Sequence, residues 1–302
     1  MYSSLLMILG ALVVGYLIPV KHPSALVAIR RLSSWMLYLI LFLMGYGLAF
    51  IDNLGQNIIQ LFSQSAVLVG LLLIFNLSAL YFVGRYLAMP AAEPIHKKSN
   101  NKLAMFKEPA LLIALLLFGL VSGLVYQQQL PAQSVLAEYA LILLIFCIGI
   151  ELRSAGISVR QMLLNRRGLI IAVVMVLSSL PAGAITAYLF DLPLNLGLAM
   201  SSGFGWYSLS GALLSKAATP LIGSTAFFAD LSRELITLLL IPFLMQRSPA
   251  ATIGYAGATA MDFSLPMLQR AGGNQLVPVA IASGFILSLL CPLMILLLVN
   301  FA

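Results

Sequence analysis

Charge is what this sequence most lacks. Of its 302 residues, 16 are Lys or Arg and 9 are Asp or Glu, so 8% are charged while 62% are hydrophobic. A soluble domain carries about 25% charge. A water-facing surface cannot be built from so few charges, which excludes a soluble enzyme, a disordered chain and a nucleic-acid binder. Cysteine and histidine are scarcer still, two of each. Cys147 and Cys291 lie in apolar runs and read as small packing residues. His22 and His96 lie in basic loops. Zinc, haem and iron–sulfur sites lack their ligands, and no cofactor is expected. The start, Met1-Tyr2-Ser3-Ser4, has no basic residue, and the first apolar run ends in Pro19-Val20-Lys21 without a small-residue cleavage site. The first segment is therefore expected to stay as a membrane span. No Walker A string is present, so ATP is not expected to act directly.

Apolar length is abundant instead, with a mean hydropathy of +1.06. A helix crosses the bilayer with about 20 apolar residues. Spans are expected near 3–20, 34–51, 65–87, 109–126, 137–151 and 168–190, with a long apolar run over 223–246 and a final span over 276–301. The longest polar stretch, Met89 to Glu108, is too short to bury a core. It reads as a cytoplasmic loop within one integral membrane transporter domain covering 1–302. The fold class is an all-α polytopic membrane protein.

The basic residues sort between these runs. Lys21, Arg30 and Arg31 follow the first span, Arg85, Lys97, Lys98, Lys102 and Lys107 the third, and Arg153, Arg160, Arg166 and Arg167 the fifth. The intervening loops hold Asp52, Gln127–Gln133 and Asp191 and no Lys or Arg. The positive-inside rule then places the N-terminus and the C-terminus outside. It also accounts for the net charge of +7 without an anionic partner.

The C-terminal third is irregular. Met200–Gly211 holds four serines and three glycines, and Ala258–Gly273 holds Asp262, Pro266, Arg270 and a Gly272-Gly273 pair. Such stretches make poor lipid-facing helices, and irregular backbone at membrane depth is tolerated only where protein or a wet cavity covers it. Segments 194–217 and 250–272 are read as re-entrant or broken, giving about eight transmembrane helices; if both cross, there are ten. Tyr207-Ser208-Leu209-Ser210 echoes Phe263-Ser264-Leu265-Pro266 at an offset of 56 residues. With eight spans the two units enter from opposite sides, a possible inverted repeat of the kind many secondary transporters use.

Acids inside spans are costly and mark ion or substrate pathways. Asp52, Glu93, Glu108, Glu138, Glu151 and Asp191 lie near span ends or in loops. Asp230, Glu234 and Asp262 remain. On a helix Asp230 and Glu234 share one face, and Arg233 is placed to form a local ion pair with Asp230. Asp262 sits four residues before Pro266, where it either caps a broken helix end or joins a site. Two carboxylates on one cavity can hold a cation, exchange protons, or do both. Ser201, Ser202, Tyr207, Ser208, Ser210, Ser264 and Gln269 add uncharged hydrogen-bonding groups, and Trp206 and Tyr207 either pack or face an ammonium. Asn76 in the third span reads as a helix-to-helix hydrogen bond. An intramembrane aspartyl protease built on Asp230 and Asp262 is disfavoured, because Asp262 follows Ala260-Met261 and not a Gly-x-Gly string.

The residues also carry a resemblance. They are Gly15-Tyr16-Leu17-Ile18-Pro19; Ser33-Ser34-Trp35-Met36 with Tyr38-Leu39-Ile40-Leu41-Phe42; Leu164-Asn165-Arg166-Arg167-Gly168; Gly203-Phe204-Gly205-Trp206-Tyr207-Ser208-Leu209-Ser210-Gly211; Asp230-Leu231 with Arg233-Glu234-Leu235-Ile236; and Met261-Asp262-Phe263 with Leu265-Pro266. With these the chain resembles, nearly end to end, the bacterial lysine exporter family of the LysO type. The resemblance implies export of L-lysine and toxic lysine analogues across the bacterial inner membrane, with both termini outside. It also implies that the family's intramembrane acidic pair falls on Glu234 and Asp262. Glu151 departs from the family pattern, where an uncharged residue is expected, and the 89–108 loop matches poorly.

The sequence therefore leads to a secondary exporter of lysine exchanging it for protons, with membrane lipid as its surroundings. The substrate or proton site is expected among Glu234, Asp262, Asp230, Arg233, Trp206, Tyr207, Ser208, Ser210 and Ser264. A cation-coupled transporter of another small solute is the alternative.

Overall fold

A computed structural model describes residues 2–20, 22–50, 54–90, 92, 107–128, 133–154 and 165–300. Most of the 89–108 loop, with His96, Lys97, Lys98 and Lys102, lies outside the described residues, as do Asp52 and Arg160. Every element among the described residues is helical. Eight helices have 16 residues or more: α1 (Tyr2–Leu17), α2 (Pro23–Leu48), α3 (Leu54–Tyr86), α4 (Lys107–Tyr126), α5 (Gln133–Ser154), α6 (Arg166–Leu189), α9 (Pro220–Leu244) and α12 (Val277–Val299). They match the eight apolar runs. Four shorter helices, α7 (Leu194–Met200), α8 (Tyr207–Ala217), α10 (Pro249–Ala256) and α11 (Leu265–Gly272), occupy the two irregular stretches.

The chain forms two compact units. The first holds Met1–Gln60, Asn101–Ile157 and Gly211–Ser224. Its helices pack through glycines, since with no hydrophobic force between helices in lipid, close backbone approach supplies the attraction. A Cβ on Gly45 would strike the Leu116 carbonyl, one on Gly119 the Phe42 carbonyl, and one on Gly15 the Phe146 carbonyl. Polar ends close the unit: the Tyr46 hydroxyl donates to the Gln128 carbonyl at 2.5 Å and Ser33 donates to Glu151 Oε1 at 2.5 Å. Arg153 lies 5.6 Å above the Tyr16 ring. The unexpected Glu151 thus sits at a helix end with a hydroxyl partner.

The second unit holds Leu61–Asn100, Ser158–Ser210 and Thr225–Ala302. Hydrogen bonds at its two ends fix the helix directions. Asn165, which caps α6, donates its amide to the Pro278 carbonyl at 3.3 Å, at the start of α12. Asn195, just past the other end of α6, donates to the Val299 carbonyl at 3.2 Å, at the end of α12. α6 and α12 therefore run parallel. Gln246, just beyond α9, donates to the Ala271 carbonyl at 2.9 Å, shortly before α12 begins. So α9 ends where α6 and α12 begin, and it runs opposite to both.

These directions decide how the irregular stretches thread. α7 turns back along α6 from its Phe190 end, with Gly197 against Gly183 so closely that neither has room for a Cβ. It stops at a 3-10 turn, Ser201–Gly203, whose Ser201 hydroxyl also lies against Gly183. Gly183 is six residues before the end of α6, about 9 Å deep at helical rise. α8 then leads, with only Ala218 and Thr219 between, into the start of α9 at the Phe190 end. This stretch enters and leaves by the same side. α10 starts directly after α9, at the Arg166 end, and passes Gly84, Leu80 and Ile171. A second 3-10 turn, Gly257–Met261, packs on Gly284 of α12, and α11 returns to the level of Gln246. It too enters and leaves by one side, the opposite one.

The backbone therefore follows the course of the eight-span reading, with each irregular segment folding back on itself, and among the described residues α2, α3, α6 and α12 supply the four stretches long and apolar enough to cross a membrane. The repeat is longer than the four-residue echo. Each unit runs short helix, 3-10 turn, short helix and then a long helix with an internal proline (Pro242 or Pro292), the second having an extra 3-10 turn, Asn274–Leu276, before its long helix, and the tip turns begin at Ser201 and Gly257, 56 residues apart.

Candidate functional site

The two re-entrant tips meet inside the second unit. The Ala258 amide donates to the Phe204 carbonyl at 2.9 Å. Gly257 has φ of 67° and packs so closely that a Cβ there would strike both the Phe204 carbonyl oxygen and Arg233 Nη2. Only glycine fits a left-handed backbone with no space beside it. Phe204 itself is left-handed, at φ 49°, which turns the chain out of the first 3-10 turn and aims the next amide at α9.

That amide belongs to Gly205. It donates to Asp230 Oδ1 at 2.8 Å, and the Ser210 hydroxyl donates to Asp230 Oδ2 at 2.7 Å. Asp230 thus holds both sides of the first tip. One turn further along α9, Arg233 donates from Nε and Nη2 to the Tyr255 carbonyl at 3.1 and 3.0 Å, and its guanidinium lies 5.3 Å above the Tyr255 ring. The Tyr255 carbonyl is near the end of α10, where a helix leaves its last carbonyls unpaired. Arg233 therefore caps the second tip. Asp230 and Arg233 also face each other, with Nη1 3.8 Å from Oδ1. Both are almost fully buried, at 2% and 0% exposure. The Thr237 hydroxyl donates to the Arg233 carbonyl at 2.8 Å.

The sequence-expected residues fall into distinct places. Asp230, Arg233 and Ser210 form one connected cluster. Glu234 is next to it on α9 and is buried, at 2% exposure. Asp262 is exposed, just past the second 3-10 turn, where its Oδ1 takes the Phe263 amide at 2.5 Å. Ser264 is buried and donates to the Thr259 carbonyl at 2.9 Å, tying the second tip to itself. Trp206, just before α8, and Ser208, in its first turn, are half-buried. Tyr207 is buried with its ring edge-on to Phe227, centroids 5.8 Å apart. Asn76 accepts from Ser178 and Ser179 at 2.8 and 3.3 Å, joining α3 to α6.

Sequence reasoning missed the backbone groups of this centre: the Gly205 amide, the Tyr255 carbonyl and the Phe204–Ala258 link. Backbone donors leave no residue-type signal, and Gly257 lies inside the 250–272 segment read as re-entrant or broken without having been singled out there.

Comparison with known proteins adds to this geometry. Residues 113–299 match the family described as lysine exporter LysO. The chain is 50% identical over 295 residues, 98% of each chain, to the Escherichia coli (strain K12) protein named "Lysine exporter LysO". The chain belongs to the LysO lysine exporter family. A Haemophilus influenzae member, named "Putative lysine exporter", is 45% identical over 184 residues, which are 61% of this chain and 94% of that protein. No solved structure matches the chain. For this LysO-family protein, the match spans both re-entrant units and all the residues placed above from Asn165 onward.

Proposed function

We propose that the protein is a secondary transporter that exports L-lysine and toxic lysine analogues from the cytoplasm, exchanging them for protons, in a bacterial inner membrane. The observation that carries this reading is the near end-to-end likeness to a protein named as a lysine exporter. The fold supports it: re-entrant segments entering from opposite sides, with their tips in contact, are the kind of irregular backbone that membrane transporters keep only where it serves a site.

Glu234 and Asp262 are the residues proposed to carry the exchange. Glu234 lies ten residues before the end of α9, about 15 Å from the Arg166 end. The turn preceding Asp262 packs on Gly284, seven residues into α12, about 10 Å from the same end. These depths support a site for both acids within a hydrocarbon core about 30 Å thick. A lysine ammonium entering from the cytoplasm exchanges its hydration for these carboxylates. A proton arriving from outside neutralises one of them and weakens the hold, releasing lysine. The basic-loop pattern supports a cytoplasmic Arg166 end, and with it the parallel course of α6 and α12 supports an outside C-terminus.

The test is lysine uptake into everted membrane vesicles with an imposed pH gradient and competing solutes. Uptake driven by the gradient and competed by lysine analogues is the expected result. Uptake of another solute instead, with lysine without effect, would replace this reading by that of a cation-coupled transporter of a different substrate.

A further inference from the structure

We infer that Asp230 and Arg233 are positioning residues: a buried ion pair that holds the two re-entrant tips against α9, on the same stretch of helix that carries the buried Glu234. This rests on the exporter reading for the meaning of the tips, but its geometry stands alone. Asp230 spends both carboxylate oxygens on the first tip, through the Gly205 amide and the Ser210 hydroxyl. Arg233 spends two of its nitrogens on the second tip, through the Tyr255 carbonyl. The tips touch each other through Phe204 and Ala258. The arrangement is closed: one helix, two adjacent turns, one charge for each tip, and the charges compensate each other at 3.8 Å.

A substrate ligand needs an oxygen that the substrate can reach, and Asp230 is 2% exposed with both oxygens already accepting from the first tip. Its Oδ2 also lies where a Cβ on Gly203 would go, so the first tip is moulded around the carboxylate. Arg233 is equally enclosed by Gly205 and Gly257. In an exporter of a cation, a fixed arginine beside Glu234 would oppose binding unless its charge were cancelled. Asp230 cancels it. The pair can therefore stay within the membrane without competing for lysine.

A buried pair loses most when one partner is removed, because the other is left as an uncompensated charge, and least when both become neutral together. The test uses the full chain in membranes with Cys147→Ala, so that Cys291, fully buried on α12, is the one remaining thiol. Three variants are compared: Asp230→Asn, Arg233→Gln, and the two combined. Each is measured for amount in the membrane, for labelling of Cys291 by N-ethylmaleimide, and for the KM and maximal rate of lysine efflux. Each single change is expected to lower maximal rate or membrane amount at least about tenfold and to raise Cys291 labelling, and the combined change to recover part of both. KM is expected to stay within about twofold wherever efflux remains. Three results would overturn the inference: single variants with normal labelling and a raised KM, which mark substrate ligands; a combined variant no better than the worse single; or no change at all. Loss of lysine efflux in the parent would defeat the exporter reading, while labelling and membrane amount would still test the pair.

Discussion

Replacing Gly257 by alanine tests the contact between the tips at its tightest point. The added Cβ would meet the carbonyl oxygen of Phe204 and the guanidinium of Arg233 at once, and neither can withdraw: one is backbone, the other is held by the Tyr255 carbonyl. Three costs combine. An L-residue at the φ of 67° and ψ of −135° that Gly257 adopts costs about 1–3 kcal/mol, overpacking a filled space about 1–3 kcal/mol, and breaking the Phe204–Ala258 hydrogen bond about 0.5–1.5 kcal/mol. Together these come to about 2.5–7.5 kcal/mol, a large share of the roughly 5–15 kcal/mol that holds a folded protein together. The assay is the fraction of purified protein that stays monodisperse in mild detergent on heating. Gly70→Ala is the control, because a Cβ there meets nothing within 4 Å; as a helix-interior change it is expected to be neutral or stabilising by up to about 1 kcal/mol. If Gly257→Ala and Gly70→Ala melted together, the close meeting of the tips would be wrong.

Other substitutions probe separate parts. Asn76→Ala removes the acceptor for Ser178 and Ser179 and is expected to cost about 0.6–1.7 kcal/mol, read as a lower melting midpoint with lysine transport retained. Gly45→Val drives a side chain into the Leu116 carbonyl and is expected to separate α2 from α4, reducing the amount of protein recovered from membranes. Ser248→Ala removes the side chain that accepts the Ala251 amide at the start of α10 and is expected to cost about 1 kcal/mol, measured by the same melt.

Much of the fold was legible because lipid imposes simple rules. Apolar runs of the right length became α1 to α6, α9 and α12, and serines with glycines over 200–211, and Asp262, Pro266, Arg270 and a glycine pair over 258–273, marked the two places where the chain folds back. The four-residue echo between Tyr207 and Phe263 was the visible trace of a repeated order of short helix, 3-10 turn, short helix and long helix, to which the second copy adds the turn Asn274–Leu276. Side-chain chemistry was legible where charge is expensive. Asp230, Arg233 and Glu234 stood out as acids and a base inside an apolar run, and all three are buried together. Their division of labour was not legible. The local ion pair expected between Asp230 and Arg233 is present, but each also reaches a different tip, and those partners are backbone groups that any residue supplies. Tyr207 offered an aromatic face in the sequence and uses it against Phe227. Asp262 resembled Glu234 on paper, yet one is exposed beside a turn and the other is buried on a long helix.

The most direct test of the central claim is lysine efflux from cells preloaded with a lysine-containing dipeptide. Cells making the intact chain are compared with cells making Glu234→Gln or Asp262→Asn at equal amounts in the membrane. Rapid efflux is expected from the intact chain, and loss of that efflux in both variants. Efflux that survived neutralisation of both acids would contradict the claim, leaving a lysine exporter whose site lies elsewhere.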